Sequence, residues 1–217
     1  MFRRVTELVP DNARGYANLG AAEQLRGDFP SALASYRKSL SLAPTYLAYS
    51  NIGTLEFYSG HPQAAAEAFE AATRLAPDHF QMWANLGDAY RWTPGFETKA
   101  REAYTRAIAL CENELRVNAQ AGLVHSVMAL CLAKTGKLIE AQEHSRSALS
   151  IESRNPQCLY HAAVIASIAH QRKESIEWIR QAAANGYSRL YLDRDPEFAE
   201  LRSDPAFLEA VQERPGR

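Results

Sequence analysis

The sequence predicts an all-α fold, a right-handed α-solenoid of about five helix–turn–helix repeats closed by a short C-terminal helical cap. Three observations predict it. An aromatic residue followed by x2-Leu/Ile-Gly recurs at Tyr16–Gly20, Tyr49–Gly53 and Trp83–Gly87. Each copy is followed by Ala-x3-aromatic, at Ala32–Tyr36, Ala65–Phe69 and Ala100–Tyr104. Pro10, Pro44 and Pro77 separate the copies by 34 and then 33 residues.

This period and residue pattern resembles the tetratricopeptide repeat (TPR), a helix–turn–helix unit of about 34 residues. The resemblance divides the chain into three parts. Residues 1–12 are expected to be the second helix of a truncated upstream repeat, and residues 13–187 the array. The repeats are expected at about 13–45, 46–79, 80–121, 122–155 and 156–187. Residues 188–217 are expected to form capping helices and a frayed tail.

Apolar periodicity and turn residues predict each helix in order. Glycine-containing turns separate the two helices of a unit, at Gly27-Asp28, Gly60-His61-Pro62, Thr93-Pro94-Gly95 and Gly136-Lys137. The predicted helices span residues 13–26, 29–42, 46–59, 62–75, 79–92, 97–117, 120–135, 138–152, 156–170 and 173–185. Helix 97–117 is expected to run about two turns past its counterparts, at 3.6 residues per turn.

After residue 185 the pattern changes to two short helices, which begin at Asp195-Pro196 and Asp204-Pro205. Aspartate accepts free N–H groups of a first helical turn, and proline fits the first position of that turn. The apolar side of the two helices consists of Phe198, Leu201, Phe207, Leu208 and Val211. Because a terminal repeat needs a cover, this segment is expected to cap the array.

The beginning of the chain falls inside a repeat. In the same register, Phe2 takes the place of Tyr36 and Phe69, so Phe2, Val5, Leu8 and Val9 are expected on a second helix without its first helix. We expect the chain to be cut from a longer protein or to have a misassigned start.

Composition limits the classes of partner. A net charge of −1 gives no electrostatic reason to expect nucleic acid or an anionic membrane. The longest apolar stretch, Ala162–Ala169, is far below the roughly 20 residues that a membrane span needs. The three cysteines, Cys111, Cys131 and Cys158, lie in helical patterns and imply no disulfide framework. They favour a reducing compartment, the cytoplasm rather than the periplasm.

Three longer stretches carry a second resemblance. They are Trp83–Gly95, the helix that ends at Leu115–Asn118, and the ending from Asn185-Gly186-Tyr187 to Asp204–Phe207. Together they resemble the C-terminal TPR regions of bacterial multidomain signalling proteins. In that group the array follows a serine/threonine kinase, an adenylate-cyclase-like domain or a winged-helix DNA-binding domain. The resemblance implies a regulatory or sensing module, with any catalytic domain upstream of this region.

An asparagine series is the best candidate ligand site. Asn18, Asn51 and Asn85 each directly precede the Leu/Ile-Gly pair, and Val127 and His161 take that position in the later repeats. An amide donates and accepts hydrogen bonds, so a ladder of amides can pair with an extended peptide backbone. The alternative is that asparagine is simply the consensus residue at this position. Residues expected near the same groove are Phe57, Tyr58, Asp88, Arg91, Trp92 and Tyr160, with packing between repeats as the alternative for Phe57 and Tyr58.

The sequence gives little indication of a metal site or of catalysis. Cys158 and His161 lie one helical turn apart, but two ligands do not make a metal site. His125 takes the large-aromatic position of its repeat and is expected to pack in the core. No phosphate-binding loop or activated nucleophile is recognisable, so we expect no catalysis, cofactor or metal. Two functions remain: a module that binds a protein or peptide, or an oligomerising scaffold without a separate ligand.

Overall fold

The computed structural model describes residues 2–212, without the side chains of Phe2, Arg3 and Val5. Helices account for all regular structure within that range. They are α1 (Phe2–Leu8), α2 (Ala13–Leu25), α3 (Phe29–Leu42), α4 (Tyr46–Tyr58), α5 (Pro62–Leu75), α6 (Phe80–Arg91), α7 (Glu97–Val117), α8 (Gly122–Lys134), α9 (Leu138–Ile151), α10 (Pro156–Ile168), α11 (Arg172–Ala184), α12 (Arg189–Arg194), the 3₁₀ helix η1 (Pro196–Leu201) and α13 (Pro205–Gln212). The expected frayed tail at 213–217 lies outside the described residues.

The chain forms two compact units, Met1–Ala100 and Arg101–Arg217, with the division near the start of α7. In the first unit α2 packs mainly on α3, and α4 on α5. In the second unit α8 pairs with α9 and α10 with α11. Each of these pairs is a helical hairpin, which confirms the helix–turn–helix organisation that the repeated motifs predict.

Small residues bring the helices of a hairpin together. A Cβ atom added at Gly53 would lie 2.8 Å from the ring of Phe69, and one at Gly20 would lie 3.0 Å from Tyr36. Both rings are buried, and so is Ala65, which begins the motif that ends at Phe69. The Leu/Ile-Gly and Ala-x3-aromatic motifs are therefore the two halves of one contact in each of these hairpins.

Capping side chains start several helices where the sequence predicts them. Asn12 accepts a hydrogen bond from the Gly15 N–H at 3.0 Å, Asp28 from Ser31 at 3.2 Å and Thr45 from Ala48 at 3.2 Å. Each bond satisfies an N–H group that has no partner within its own helix. All ten predicted helices between residues 13 and 185 are present, with ends that differ from the prediction by two residues or fewer.

The turns between paired helices use a left-handed residue. Gly60 has φ of +84°, a conformation that costs glycine little. At the corresponding point of the last hairpin the chain has His170, with φ of +57°. No glycine marks that turn, yet the predicted break between helices 156–170 and 173–185 lies there.

The C-terminal segment covers the last hairpin. Phe198 and Phe207 are fully buried in the cluster around α10 and α11. Leu192, on α12, joins the same cluster, and the sequence analysis missed this short helix. The first predicted Asp-Pro helix is a 3₁₀ helix, capped by Asp195, which accepts from the Glu197 N–H at 2.9 Å.

Candidate ligand-binding surface

Helices α2, α4 and α6 of the first unit carry side chains in matching rows. Residues spaced by three and four positions lie on one face of a helix. The rows are Asn18–Ala21–Leu25 on α2, Asn51–Thr54–Tyr58 on α4, and Asn85–Asp88–Trp92 at α6. We call these nine residues the first-helix surface. Each row starts with an amide and ends with a large apolar or aromatic side chain.

The asparagines are accessible to a ligand. Asn18 is exposed, and Asn51 and Asn85 are half-buried. None of the three side-chain amides makes a hydrogen bond to another described residue. Helix α6 contacts α4 directly, which places Asn51 and Asn85 on neighbouring helices. The amides that the sequence analysis singled out are therefore available for hydrogen bonding.

The far end of the rows carries aromatic and cationic groups. Trp92 is 39% exposed, and the Arg91 guanidinium lies over its ring at 5.7 Å from the centroid. The half-buried Tyr58 contacts Phe57 edge to face, with centroids 5.4 Å apart. Tyr58, Asp88 and Arg91 also have further contacts within the chain. This end of the surface combines π faces with one cation.

Leu25 belongs to the same set but was missed in the sequence analysis. It is 89% exposed and stands in the register of Tyr58, two residues before the turn glycine. An exposed leucine on α4, Leu47, lies near the start of the second row. The signal that could have found Leu25 was its spacing of 33 residues from Tyr58.

The second unit does not continue the amide rows. Val127 and His161, at the asparagine position, are both buried. His161 Nδ1 lies 2.7 Å from Ser126 Oγ, and its Nε2 lies 2.8 Å from the Gln157 amide. Burial, followed by the positive charge of Lys134, lowers the pKa of His161 to about 3. His161 is thus a neutral core residue.

Tyr160 lies in the interior and not on an open groove. It is buried, and its hydroxyl donates to Asp195 Oδ2 at 2.6 Å. Its ring stacks on Tyr187 with centroids 4.4 Å apart. Tyr160 therefore helps to hold the C-terminal segment, and the structure does not bring it together with the asparagines of the first unit.

His125 differs from its expected core role. It is half-buried, its Nδ1 lies 2.8 Å from His144 Nδ1, and its Nε2 lies 3.1 Å from the Ala119 carbonyl oxygen. Burial, and then the proximity of His125, lowers the pKa of His144. The aromatic position of this repeat is thus filled by a hydrogen-bonded histidine pair.

The cysteines are poor ligands and nucleophiles. All three are buried and none forms a disulfide with another described residue. Burial raises the pKa of Cys111 to about 12 and also raises that of Cys158, so both thiols stay protonated near neutral pH. Among residues 2–212, no group of three or more His, Cys, Asp or Glu side chains could hold a metal ion. No helix in that range is long and apolar enough to cross a membrane.

Residues 51–114 match the family model for the tetratricopeptide repeat. Over 91 residues the chain is 32% identical to the tetratricopeptide repeat-containing protein trd-1 of Caenorhabditis elegans, which covers 41% of this chain and 12% of that protein. Over 166 residues it is 25% identical to DnaJ homolog subfamily C member 7 of Homo sapiens. That match spans 73% of this chain and 33% of that protein. The chain thus spans a third or less of these curated relatives.

Solved structures share the fold. A thermophilic TPR protein of Thermus thermophilus superposes with a TM-score of 0.60 at 18% identity, covering 92% of this chain and 99% of that one. YrrB, a TPR protein with an unusual peptide-binding site, superposes with a TM-score of 0.50 at 20% identity, covering 85% and 92%. Residues 51–114 therefore match the tetratricopeptide repeat, and the chain has the fold of a TPR solenoid.

Proposed function

We propose that this chain is a binding module for a protein or an extended peptide, and that the first-helix surface contacts the ligand. The observation that carries the proposal is the pair Asn51 and Asn85. They stand at corresponding positions of contacting helices, and their amides make no hydrogen bond to a described residue. An amide matches the donor and acceptor pattern of a peptide backbone, so the two can hold an extended main chain whatever its side chains.

Selectivity would come from the other end of the rows. Tyr58, Arg91 and Trp92 supply the residue types that dominate binding hot spots. Trp92 with Arg91 over its ring offers an apolar face beside a positive charge. We propose that this end receives an apolar or aromatic side chain of the ligand, with a carboxylate nearby.

The comparisons support a binding role without naming a ligand. TPR arrays are stacks of helical repeats whose extended surfaces serve as binding faces. YrrB is a TPR protein with a peptide-binding site, and its fold is shared here. A non-enzymatic role is part of this proposal, because the sequence contains no recognisable phosphate-binding loop or activated nucleophile.

The wider context is also a proposal. We place this chain as the regulatory or sensing part of a larger bacterial signalling protein, in the cytoplasm. The resemblance of Trp83–Gly95 and of the Asp-Pro ending supports this, and three cysteines without a disulfide suit a reducing compartment. The division into five repeats between residues 13 and 187, with a cap after 188, is proposed on the same register.

An oligomerising scaffold is the second candidate. Exposed apolar residues favour it, namely Leu25, Leu47 and Val117. Val117, at the end of the long helix α7, is 88% exposed. Exposed apolar side chains within either unit can take part in contact with another copy or another protein.

A peptide-display selection tests the proposal. Random peptides are selected on the full chain, and the enriched sequences are measured by calorimetry against an Asn51→Ala/Asn85→Ala variant. Each lost hydrogen bond costs about 0.5–1.5 kcal/mol, so the pair should weaken binding about tenfold or more. A control variant, Gln63→Ala/Glu67→Ala, removes exposed polar groups from α5 and should leave affinity unchanged. Equal affinity of the asparagine variant would instead place binding on the second helices or on α7.

A further inference from the structure

A segment of the chain itself lies on the first helices of the second unit. Lys134 on α8 forms an ion pair with Glu197, with Nζ and Oε1 3.6 Å apart. On α10, Tyr160 donates to Asp195 at 2.6 Å and Ser167 donates to the Glu197 carbonyl oxygen at 2.9 Å. Residues Asp195–Phe198 thus make polar contacts with two successive first helices.

One of these contacts falls in the register of the first-helix surface, and the others lie at neighbouring positions of the same helices. Lys134 precedes its turn glycine, Gly136, by two residues, as Tyr58 precedes Gly60. Ser167 precedes the turn residue His170 by three, as Phe57 precedes Gly60. In the second unit the chain's own segment therefore contacts the position of Tyr58, while Tyr160 and Ser167 stand at the positions of Ser50 and Phe57, beside the first-helix surface.

An aromatic side chain anchors the segment. Phe198 is fully buried in a cluster that includes Leu130, Ala163 and Val164 from the two first helices. Its ring meets Tyr160 edge to face at 6.3 Å between centroids. The bound segment thus combines two carboxylates with one phenylalanine in the order Asp-Pro-Glu-Phe.

The buried ion pair between Lys134 and Glu197 costs desolvation free energy that a purely structural cap would not need. The side chains of Lys134 and Glu197 are only 2% and 8% exposed. Removing two charges from water carries a desolvation penalty, and apolar residues of similar volume often hold such a contact as well or better. Burial also raises the pKa of Asp195 to about 6. Ionic contacts of this kind select a ligand by its chemistry more than they add stability.

The chain contains a second, weaker copy of the motif. Asp204-Pro205-Ala206-Phe207 repeats the aspartate, proline and phenylalanine but lacks the glutamate. Its aspartate pairs with Arg172 on α11, and Lys134 pairs with the first copy. Both phenylalanines are buried in the same cluster, and the first copy is the one whose third residue, Glu197, pairs with Lys134 on α8.

We propose that Leu130, Lys134, Tyr160, Val164 and Ser167 form a recognition site for an Asp-Pro-Glu-Phe segment, which residues 195–198 occupy within the same chain. A partner protein that carries an acidic segment followed by phenylalanine displaces the chain's own copy. This site lies wholly within the second unit and stands independently of the surface proposed for the first.

The first test uses the wild-type chain and a ¹³C-labelled peptide of residues 191–203, whose fragments differ in mass from those of the chain. Hydrogen exchange is followed by mass spectrometry while the peptide is raised to millimolar concentration. We expect amide exchange in residues 195–201 of the chain to accelerate and to saturate with peptide, while α10 stays protected. Peptides with Phe198→Ala or Glu197→Lys should have no effect. Unchanged exchange with the wild-type peptide would overturn the proposal.

The second test weakens the internal copy. A Phe198→Ala chain should bind the fluorescently labelled peptide at least about tenfold more tightly than wild type, because its site is less often occupied. Adding Lys134→Met should remove about tenfold or more of that affinity, because the peptide glutamate loses its buried partner. Adding Lys137→Met, which removes an exposed lysine at the start of α9, should leave the affinity unchanged. An affinity for the peptide that Lys134→Met leaves unchanged would overturn the proposal. If the Phe198→Ala chain does not fold, the exchange test decides the matter.

Discussion

His161 shows how one position of the repeat can be either a surface or a core residue. In the first unit this position holds Asn51 and Asn85, which remain accessible. In the second unit the ring of His161 is buried between Ser126 and Gln157, with both nitrogens in hydrogen bonds. The residue type alone does not decide between the two, because the burial of His161 depends on Ser126, which lies 35 residues earlier on α8.

The buried imidazole makes stability depend on pH. An unfolded chain protonates His161 near pH 6.5, whereas burial lowers the folded pKa to about 3. The unfolded state therefore binds more protons over this range, and the free energy of unfolding falls as pH decreases through it. His161→Gln should lose less stability on acidification than wild type, with slopes that differ by up to about 1.4 kcal/mol per pH unit.

Urea titrations at steps below pH 6.5 measure this difference. His170→Asn is the matched control, since it removes an exposed histidine at a left-handed position that asparagine accepts. Asp195, whose raised pKa acts in the opposite direction, is present in all three proteins. If the free energy of unfolding fell with pH equally in wild type and His161→Gln, burial would not lower the pKa of His161 in the folded chain.

Gly53 tests the close approach of the paired helices. Gly53→Ala would place a Cβ 2.8 Å from the Phe69 ring, while Gly20→Ala would meet Tyr36 at 3.0 Å. Overpacking costs about 1–3 kcal/mol, against a gain of about 1 kcal/mol from better helix propensity. We expect Gly53→Ala to lower the melting temperature, and to lower it more than Gly20→Ala. A higher melting temperature for Gly53→Ala would contradict the close packing.

At the scale of elements, the C-terminal cap depends on a few buried aromatic side chains. Phe207→Ala should destabilise the second unit by about 3–5 kcal/mol, because it opens a cavity where the ring is fully buried. Leu208→Ala is the neighbouring control on the same helix, since Leu208 is 39% exposed and should cost less than about 1 kcal/mol. Chemical denaturation followed by circular dichroism compares the two. Similar losses in both variants would argue against a packed cap.

How much of the fold could be predicted depends on where the signals lie. The hairpins follow from local motifs, since Gly53 and Phe69 are close in sequence and recur with a fixed period. Helix α12 was missed because its six residues, Arg189–Arg194, are too few to show a helical period. Tyr160 was placed on a surface because nothing in the local sequence shows that its hydroxyl donates a hydrogen bond to Asp195, 35 residues later.

At the scale of the whole molecule, the binding and scaffold functions predict different molecular masses in solution. A binding module is expected to remain a monomer of 24.1 kDa over a wide concentration range. Size-exclusion chromatography with light scattering measures this directly. A dimer that dissociates on dilution would favour the scaffold function, and Leu25→Ser together with Val117→Ser should then restore the monomer, because both side chains are largely exposed.

The central claim is that the first-helix surface reads an extended segment. Its most direct test is NMR mapping of the full chain with a peptide from the display selection. We predict that the largest shifts occur at the side-chain amide protons of Asn51 and Asn85 and at the Trp92 indole N–H. Amides of α3 and α5 should change little. Shifts concentrated on α3, α5 or the second unit, with unchanged side-chain signals at Asn51 and Asn85, would contradict the claim.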